Sequence, residues 1–293
     1  MQRFVPHLWY DGAAEEAARL YAGLIPGSSL GRIARFGKVG QEVHGQPEGR
    51  VLTVEADLGG TRVVALNGGP AFRFAPSFSL FVALPERAEV DRVWAGLIEG
   101  GEALMPLDAY SWSPRYGWLR DRWGLGWQIC QGDPAAAGRR VRPCLLFGGA
   151  LAGQAEAAIA AWTAVFPGSA PGEAMRHGAE PGLAYGPFTL GGEAFLALDS
   201  RDAPGGFTEA ASIGVMCDDQ AEVDRLWRAL SADPEAEACG WLKDRFGLSW
   251  QIIPRALPGM MADPDQARAD RVMAAVLPMK KPDIAALEAA YAG

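Results

Sequence analysis

A fourteen-residue segment of the first half of this chain returns in the second half. Residues 117–130 read GWLRDRWGLGWQIC and residues 240–253 read GWLKDRFGLSWQII, so that ten of fourteen positions are identical. Two of the four changes keep the character of the side chain, because lysine replaces arginine and phenylalanine replaces tryptophan. A match of this length predicts a tandem duplication, which restricts the fold to one that can be built twice.

Further matches follow in the same order along both halves. Residues 89–97 (EVDRVWAGL) pair with residues 222–230 (EVDRLWRAL) at an offset of 133. Changes of offset place nine extra residues in the first half near residues 41–49, and ten more around residues 105–114. Insertions at loops of a duplicated scaffold are where new function tends to be added.

Hydrophobic periodicity predicts that each half contains a β-α-β-β-β unit twice. Residues 4–10 form a strand-like run, and small apolar residues then recur at helical spacing up to Pro26. A short strand is predicted at residues 102–105, before the closing hairpin. The tail from Asp263, the predicted N-cap of its helix, has no counterpart in the first half. This tail is expected to seal a sheet edge or the seam between halves, and a lid over a ligand is the alternative.

Composition excludes several classes of protein. The chain is 49% hydrophobic with a formal net charge of −8, which argues against nucleic-acid binding because phosphates need clustered Lys and Arg. No apolar run is long enough to span a bilayer, and the N-terminus lacks the apolar core of a signal peptide, so a cytoplasmic location is expected. Four cysteines without C-x-x-C spacing are expected to be free thiols.

Several motifs resemble one known family. They are FVPHLWYDG at residues 4–12, ALNGGP at 65–70, MPLD at 105–108 and the closing hairpin of both halves. Together they resemble the vicinal oxygen chelate (glyoxalase/bleomycin resistance/dioxygenase) superfamily, and within it the PhnB-like branch, often labelled 3-demethylubiquinone-9 3-methyltransferase-like. The resemblance covers nearly the whole chain.

The resemblance implies an α+β fold with two tandem glyoxalase-like domains. Each domain would consist of two βαβββ modules that close a curved mixed sheet around a pocket, and a C-terminal helical tail would follow. The expected boundaries are domain 1 at residues 1–132, a linker at 133–139, domain 2 at 140–256 and the tail at 257–293. The two halves would form an internal pseudo-dimer, and a homodimer of the whole chain is left open.

Members of that superfamily often hold a divalent metal through the first, fifth and eighth strands, usually by His, His and Glu. Here the eighth-strand positions are Gln128 and Gln251, whose amides bring no charge to hold a cation. The fifth strands contain no histidine, and His7 on the first strand has Cys144 as its counterpart. We therefore expect no metal ion and no cofactor. The sequence also lacks the G-x-G-x-x-G loop that a dinucleotide or S-adenosylmethionine would need.

What remains is a candidate pocket for a small, partly apolar molecule in the first domain. Aromatic side chains beside a few amides are typical of such a lining. The candidate ligand-binding residues are His7, Trp9, Asn67, Asp108, Tyr110, Trp112 and Gln128. The preferred hypothesis is metal-independent binding, with no catalytic residue identified and turnover left open. The alternatives are a metal-dependent lyase, isomerase or dioxygenase of the glyoxalase type, and a drug-sequestering resistance protein.

Overall fold

The chain folds as four consecutive modules followed by a helical tail, as the repeat predicts. The structure is a computed structural model that describes residues 2–132, 139–178 and 182–293. Most of the predicted linker, residues 133–138, lies outside the described residues. The α+β fold class is confirmed, with two curved mixed sheets and helices at the C-terminus.

The elements of the four modules and the tail follow in chain order. The first module contains β1 (Phe4–Tyr10), α1 (Ala14–Leu24), β2 (Ser29–Arg35), α2 (Gln41–His44), β3 (Val51–Leu58) and β4 (Thr61–Asn67). The second contains β5 (Phe78–Leu84), α3 (Arg87–Ile98), β6 (Glu102–Tyr110), β7 (Ser113–Arg120) and β8 (Gly126–Gln131). The third contains β9 (Val141–Gly148), α4 (Ala155–Val165), β10 (Ala170–Pro171), β11 (Met175–Arg176), β12 (Leu183–Leu190) and β13 (Glu193–Ser200). The fourth contains β14 (Ala211–Cys217), α5 (Gln220–Leu230), β15 (Trp241–Lys243) and β16 (Ser249–Pro254), and the tail contains α6 (Leu257–Met260), α7 (Gln266–Val276) and α8 (Ile284–Ala292).

Each sheet combines one module from each half of the chain. The terminal sheet, built from the first and fourth modules, has the strand order β15-β16-β14-β1-β4-β3-β2. The central sheet, built from the second and third modules, has the order β10-β12-β13-β9-β5-β8-β7-β6, and β11 pairs with β12. The expectation that the two modules of one half share a sheet is thereby corrected. Residues 1–132 and 140–256 are two copies of a repeat, and each copy contributes strands to both sheets.

The halves join through two antiparallel strand pairs. Strand β1 pairs with β14, which places His7 opposite Ser212, and β5 pairs with β9, which places Ser79 opposite Cys144. Strands β5, β9 and β14 are buried along their whole length because they lie inside the sheets. Local periodicity specifies that such a strand forms, but it does not specify the partner, and this is why the sequence left the pairing open.

The main core lies between the sheets and the four long helices of the modules. In β1, Phe4, Leu8 and Tyr10 belong to this core, whereas Val5 belongs to a separate cluster on the opposite face. This alternation follows from the two-residue period of a strand. We call the face that points away from α1, α3, α4 and α5 the inner face of each sheet.

The second and fourth modules complete their sheet edges differently. In the second module β6 and β7 form a long hairpin, in which β6 has nine residues instead of the short strand predicted at 102–105. In the fourth module the tail takes that place, because Cys239 and Gly240 donate backbone hydrogen bonds to the carbonyls of Met279 and Lys280 at 2.7 and 2.8 Å. The tail thus pairs with the edge of the terminal sheet, where the sequence analysis expected a seal.

The tail also contacts the segment that follows β2, the strand at the other end of the terminal sheet. Asp270 and Leu277 lie against Gly37 and Gly40, in the segment that follows β2. Ile253, on the inner face of β16, packs against the apolar cluster of the tail. The helix α7 begins two residues later than predicted, since Asp265 and not Asp263 is its N-cap. Of the described residues, no helix is long and apolar enough to cross a membrane.

Candidate functional site

A cavity of about 160 Å³ lies at the C-terminal end of β1. Its walls come from the strand end, from the loop that joins β4 to β5, and from the turn between β7 and β8. Five of its lining residues are aromatic: Trp9, Tyr10, Phe72, Phe74 and Trp123. The others are Asp11, Ala13, Pro70 and Arg73. The site therefore combines an aromatic interior with one acidic and one basic side chain.

The aromatic walls stand edge to face. The ring centroids of Trp9 and Phe72 are 4.9 Å apart, and those of Tyr10 and Phe74 are 5.3 Å apart, at interplanar angles of 70° and 68°. Tyr10 meets Trp123 at 6.3 Å and 86°. Edge-to-face pairs are a favoured arrangement of aromatic rings, so contacts between the aromatic side chains stabilise the walls of the cavity.

Hydrogen bonds fix the loop that forms the outer wall. The indole nitrogen of Trp9 donates to the carbonyl of Gly69 at 2.8 Å. The ring of Trp9 lies so close to Gly68 that a β-carbon there would collide with it, which is a physical reason for glycine at this position. The hydroxyl of Thr208 donates to the carbonyl of Arg73 at 2.8 Å and ties the loop to the other half of the chain.

A buried polar chain supports the floor beneath Tyr10. Its hydroxyl lies 3.1 Å from that of Tyr21, which donates to Oδ2 of Asp121 at 2.6 Å. The same carboxylate oxygen accepts the indole N–H of Trp127 at 2.9 Å. Burial raises the pKa of Asp121, while these hydrogen bonds oppose that rise. Asp121 is not among the residues predicted from the sequence, although its recurrence as Asp244 in the closing hairpin was the available signal.

The corresponding place in the second half is filled. An offset of 137 puts Phe147 and Gly148 where the first half has Tyr10 and Asp11. The ring of Phe147 packs on Phe207 at 5.4 Å and on Phe246 at 6.2 Å. A β-carbon on Gly148 would lie 2.6 Å from the carbonyl oxygen of Ala203, so the loop backbone rests directly on the strand end.

The inner face of the terminal sheet carries His7. Its Nδ1 lies 2.9 Å from the carbonyl of Val5, and its ring lies against Gly214 on the neighbouring strand. Burial lowers the pKa of His7 to about 4, and the charge of Arg62 acts in the same direction. The ring is therefore neutral at pH 7, with Nδ1 as the donor to the carbonyl and Nε2 as an acceptor. On the same sheet, Nε2 of Gln251 donates to the hydroxyl of Ser212 at 2.9 Å.

The inner face of the central sheet carries a second polar group, around Gln128. The hydroxyl of Tyr116 donates to Oε1 of Gln128 at 2.8 Å. Its Nε2 donates to the hydroxyl of Ser79 at 3.0 Å and to the thiol of Cys144 at 3.3 Å. Burial raises the pKa of Cys144 to about 12, so this thiol stays protonated and is no nucleophile at neutral pH.

These donor sets do not fit the divalent ion that the fold family often holds. The three ligand strands carry His7, Ser212 and Gln251 in one sheet. In the other sheet they carry Cys144, Ser79 and Gln128. Neither set contains a carboxylate, and both amides are already bonded to neighbouring side chains. Across the residues described, no cluster of three His, Cys, Asp or Glu side chains could hold a metal.

The structure divides the seven predicted ligand-binding residues among separate places. Trp9 lines the cavity, and His7 lies two residues earlier on the same strand, outside the cavity lining. Asn67 has a structural role, since its Oδ1 accepts the backbone N–H of Ala14 and its Nδ2 donates to Val51, both at 2.9 Å. Its counterpart Asp199 likewise accepts the N–H groups of Gly153 and Ala155 at the start of α4.

The other four predicted residues belong to the central sheet. Gln128 lies on its inner face, whereas Asp108, Tyr110 and Trp112 lie in the β6–β7 hairpin. Tyr110 and Trp112 stack at 4.9 Å, and 58% of Trp112 is exposed. The grouping of His7 with Gln128 in one pocket is therefore corrected: His7 shares its sheet with Gln251, because the sheets form between the halves.

Comparison with known proteins gives a consistent result. The family model described as 3-demethylubiquinone-9 3-methyltransferase matches residues 2–130 and again residues 139–253. The PhnB protein from Bacillus cereus is 31% identical over 45% of this chain and 100% of its own, with a TM-score of 0.41. Glyoxalase I from Zea mays is 10% identical over 86% of this chain and 94% of its own, with a TM-score of 0.54, a likeness in fold. No curated protein matches the chain.

Proposed function

The chain belongs to the 3-demethylubiquinone-9 3-methyltransferase family, and from that premise we propose that it binds a small, partly apolar molecule without a metal ion. The observation that carries the proposal is the cavity of about 160 Å³ beside Trp9. An apolar cavity of about 150 Å³ is large enough to take up a benzene ring. The proposed ligand therefore places one ring-sized apolar group between these aromatic walls.

Metal independence is supported by the chemistry of the inner faces. An uncharged set of imidazole, hydroxyl, thiol and amide groups offers little to a hard divalent cation. The cavity itself is lined by one carboxylate, Asp11, and a single carboxylate does not make a metal site. Binding in this cavity relies on apolar burial and ring contacts, which need no ion.

The test places a larger side chain in the cavity and compares this variant with the equivalent variant in the second half. Ala13 lines the cavity, and the offset of 137 makes the exposed Ala150 its counterpart in the second half. We expect benzyl alcohol to raise the melting temperature and to change the tryptophan fluorescence of the full chain. In Ala13→Met the affinity should fall at least tenfold, whereas Ala150→Met should bind as the unmodified chain does.

Metal dependence is tested in the same titration. Protein treated with a chelator should bind benzyl alcohol with unchanged affinity, and added Mg²⁺, Mn²⁺ or Zn²⁺ should not increase it. A stoichiometric divalent ion that is lost in His7→Ala, together with binding that requires it, would overturn the proposal in favour of glyoxalase-type chemistry. Binding that survives in Ala13→Met would show that the cavity is not the site.

A further inference from the structure

The charged residues at the cavity point to a narrower class of ligand than its walls do. Asp11 and Arg73 both line the cavity and both are exposed. Within residues 2–132, 139–178 and 182–293, neither side chain forms an ion pair or a side-chain hydrogen bond. Two opposite charges therefore border one small cavity without neutralising each other.

Two nearby arginines, by contrast, have side-chain partners within the protein. Arg122 lies over the ring of Trp123 with its guanidinium 5.5 Å from the centroid, and it is 3.6 Å from a carboxylate oxygen of Glu99. Arg50 donates to the side chain of Gln46. Arg73 thus differs from these two arginines in having no side-chain partner among the described residues.

The second half has neither charged residue at the positions that correspond to Asp11 and Arg73. Gly148 occupies the place of Asp11 at an offset of 137. Offsets of 132 and 133, which hold on either side of the loop, place Gly205 or Gly206 opposite Arg73. The half whose loop backbone lies directly on the strand end therefore lacks a charge at both of these positions, and the half with the cavity has one at each.

The backbone of the loop that carries Arg73 is also held in place before any ligand arrives. Its carbonyl accepts the hydroxyl of Thr208, and the N–H groups of Gly68 and Gly69 at the start of the loop donate to the carbonyl of Tyr10 at 3.1 and 3.3 Å. A loop held at both places loses little conformational entropy on binding, which favours recognition by its side chains.

We propose, resting on the function proposed above, that the ligand is a zwitterion with a single aromatic ring, of the aromatic amino-acid class. The ring enters the cavity, the ammonium group faces Asp11 and the carboxylate faces Arg73. A six-membered ring suits the volume of about 160 Å³. A ligand with only one charge would leave the opposite charge of the protein unmatched.

The experiment compares four probes that share one ring. They are L-phenylalanine, 3-phenylpropionate, which lacks the ammonium, 2-phenylethylamine, which lacks the carboxylate, and benzyl alcohol, which lacks both. With the full chain at low ionic strength we expect L-phenylalanine to bind about fivefold to tenfold more tightly than either singly charged probe, because exposed charge contacts are weak individually. High salt should reduce this preference, since exposed charges are screened.

Two variants assign the charges to their partners. Asp11→Asn should abolish the preference for L-phenylalanine over 3-phenylpropionate and keep its preference over 2-phenylethylamine. Arg73→Gln should do the reverse. Glu16→Gln and Arg92→Gln change the net charge by the same amounts at exposed positions outside the cavity lining, and they should leave every preference unchanged.

The outcomes separate the two proposals. If benzyl alcohol binds but L-phenylalanine gains nothing over it, or if the variants keep both preferences, the zwitterion assignment is overturned and the cavity stands. If no probe binds to the cavity, the proposed function itself fails. If the control variants change the preferences as strongly as Asp11→Asn and Arg73→Gln do, the effect comes from net charge and the assignment is again overturned.

Discussion

The C-terminal ends of β1 and β9 occupy equivalent places in the repeat, but the space beside them differs. Both strand ends lie beside the same closing hairpin, in which Asp121 and Asp244 make equivalent hydrogen bonds. Yet the end of β1 borders a cavity, and at the end of β9 three phenylalanine rings and the backbone of residues 203–205 are packed together. The hairpin has been kept in both halves while the loop facing it has changed.

The physical origin of the difference is how closely the loop approaches the strand. Gly148 has no side chain, so the carbonyls of Ala203 and Pro204 come to within 2.6 and 2.8 Å of where a β-carbon would be. In the first half Asp11 stands at that position, and at an offset of 133 the loop beyond β4 carries Phe72 in place of Gly205. A few substitutions at a strand end therefore decide whether a duplicated site is open or filled.

The largest effect tests what the two ends share. Asp121 and Asp244 each accept four hydrogen bonds, two from buried side chains and two from the backbone of the hairpin turn. Replacing either by alanine leaves these donors unpaired, and we expect each variant to lose about 3 to 5 kcal/mol of unfolding free energy in urea titrations. Asparagine at either position should cost less, because it keeps one acceptor oxygen. A small loss at only one of the two positions would show that the hairpins are not equivalent.

The next effect tests what the two ends do not share. Phe207 is 9% exposed and packs on Phe147, so Phe207→Ala should cost about 3 to 5 kcal/mol. Phe74 is only half-buried and faces existing space, so Phe74→Ala should cost about 1 to 2 kcal/mol. Urea or thermal unfolding of both variants measures the difference. Equal losses would contradict the distinction between a filled end and an open one.

The smallest effect concerns the inner faces, where His7 corresponds to Cys144. The pKa of His7 is lowered to about 4 in the folded chain, below the ordinary value of 6.5, so the unfolded chain binds the proton more tightly. The contribution of His7 to stability is therefore complete above pH 6.5 and is lost as the pH falls from 6.5 to about 4. Because the ring is partly exposed, we expect a loss of about 1 to 2 kcal/mol over this range.

The variant that copies the second half checks this pH dependence. His7→Cys should remove that part of the pH dependence, since a buried thiol does not titrate in this window. Cys144→Ser should leave the slope of unfolding free energy against pH between 4 and 6.5 unchanged. If His7→Cys retains the full slope, other groups cause the acid sensitivity of the chain.

The sequence predicted the local elements of the fold well because their signals are local. The strand at residues 4–10 and the duplicated hairpin follow from periodicity and repetition. The position of α7 was shifted, since Asp263 and Asp265 are both acceptable N-caps and only the packing of the tail decides between them.

The candidate site was predicted less completely because it depends on long-range pairing. The repeat places His7 and Gln128 in the same half of the chain, but their strands lie in different sheets. Trp9 lies on a predicted strand as a candidate aromatic lining residue, whereas Phe72, Phe74 and Trp123 become its neighbours only when a loop and a turn meet the strand end. A single sequence contains no periodic signal for a contact of that kind.

The exchange of modules between the halves has a consequence for synthesis on the ribosome. The central sheet is made from the continuous stretch between β5 and β13, so all of its strands are available once residue 200 has left the exit tunnel. Strand β1, although made first, pairs on one side with β14, about two hundred residues later. Pairings of such high contact order form slowly, so the nascent chain holds an unpaired N-terminal strand edge until the last module emerges. During that interval the exposed strand edge can pair with another chain.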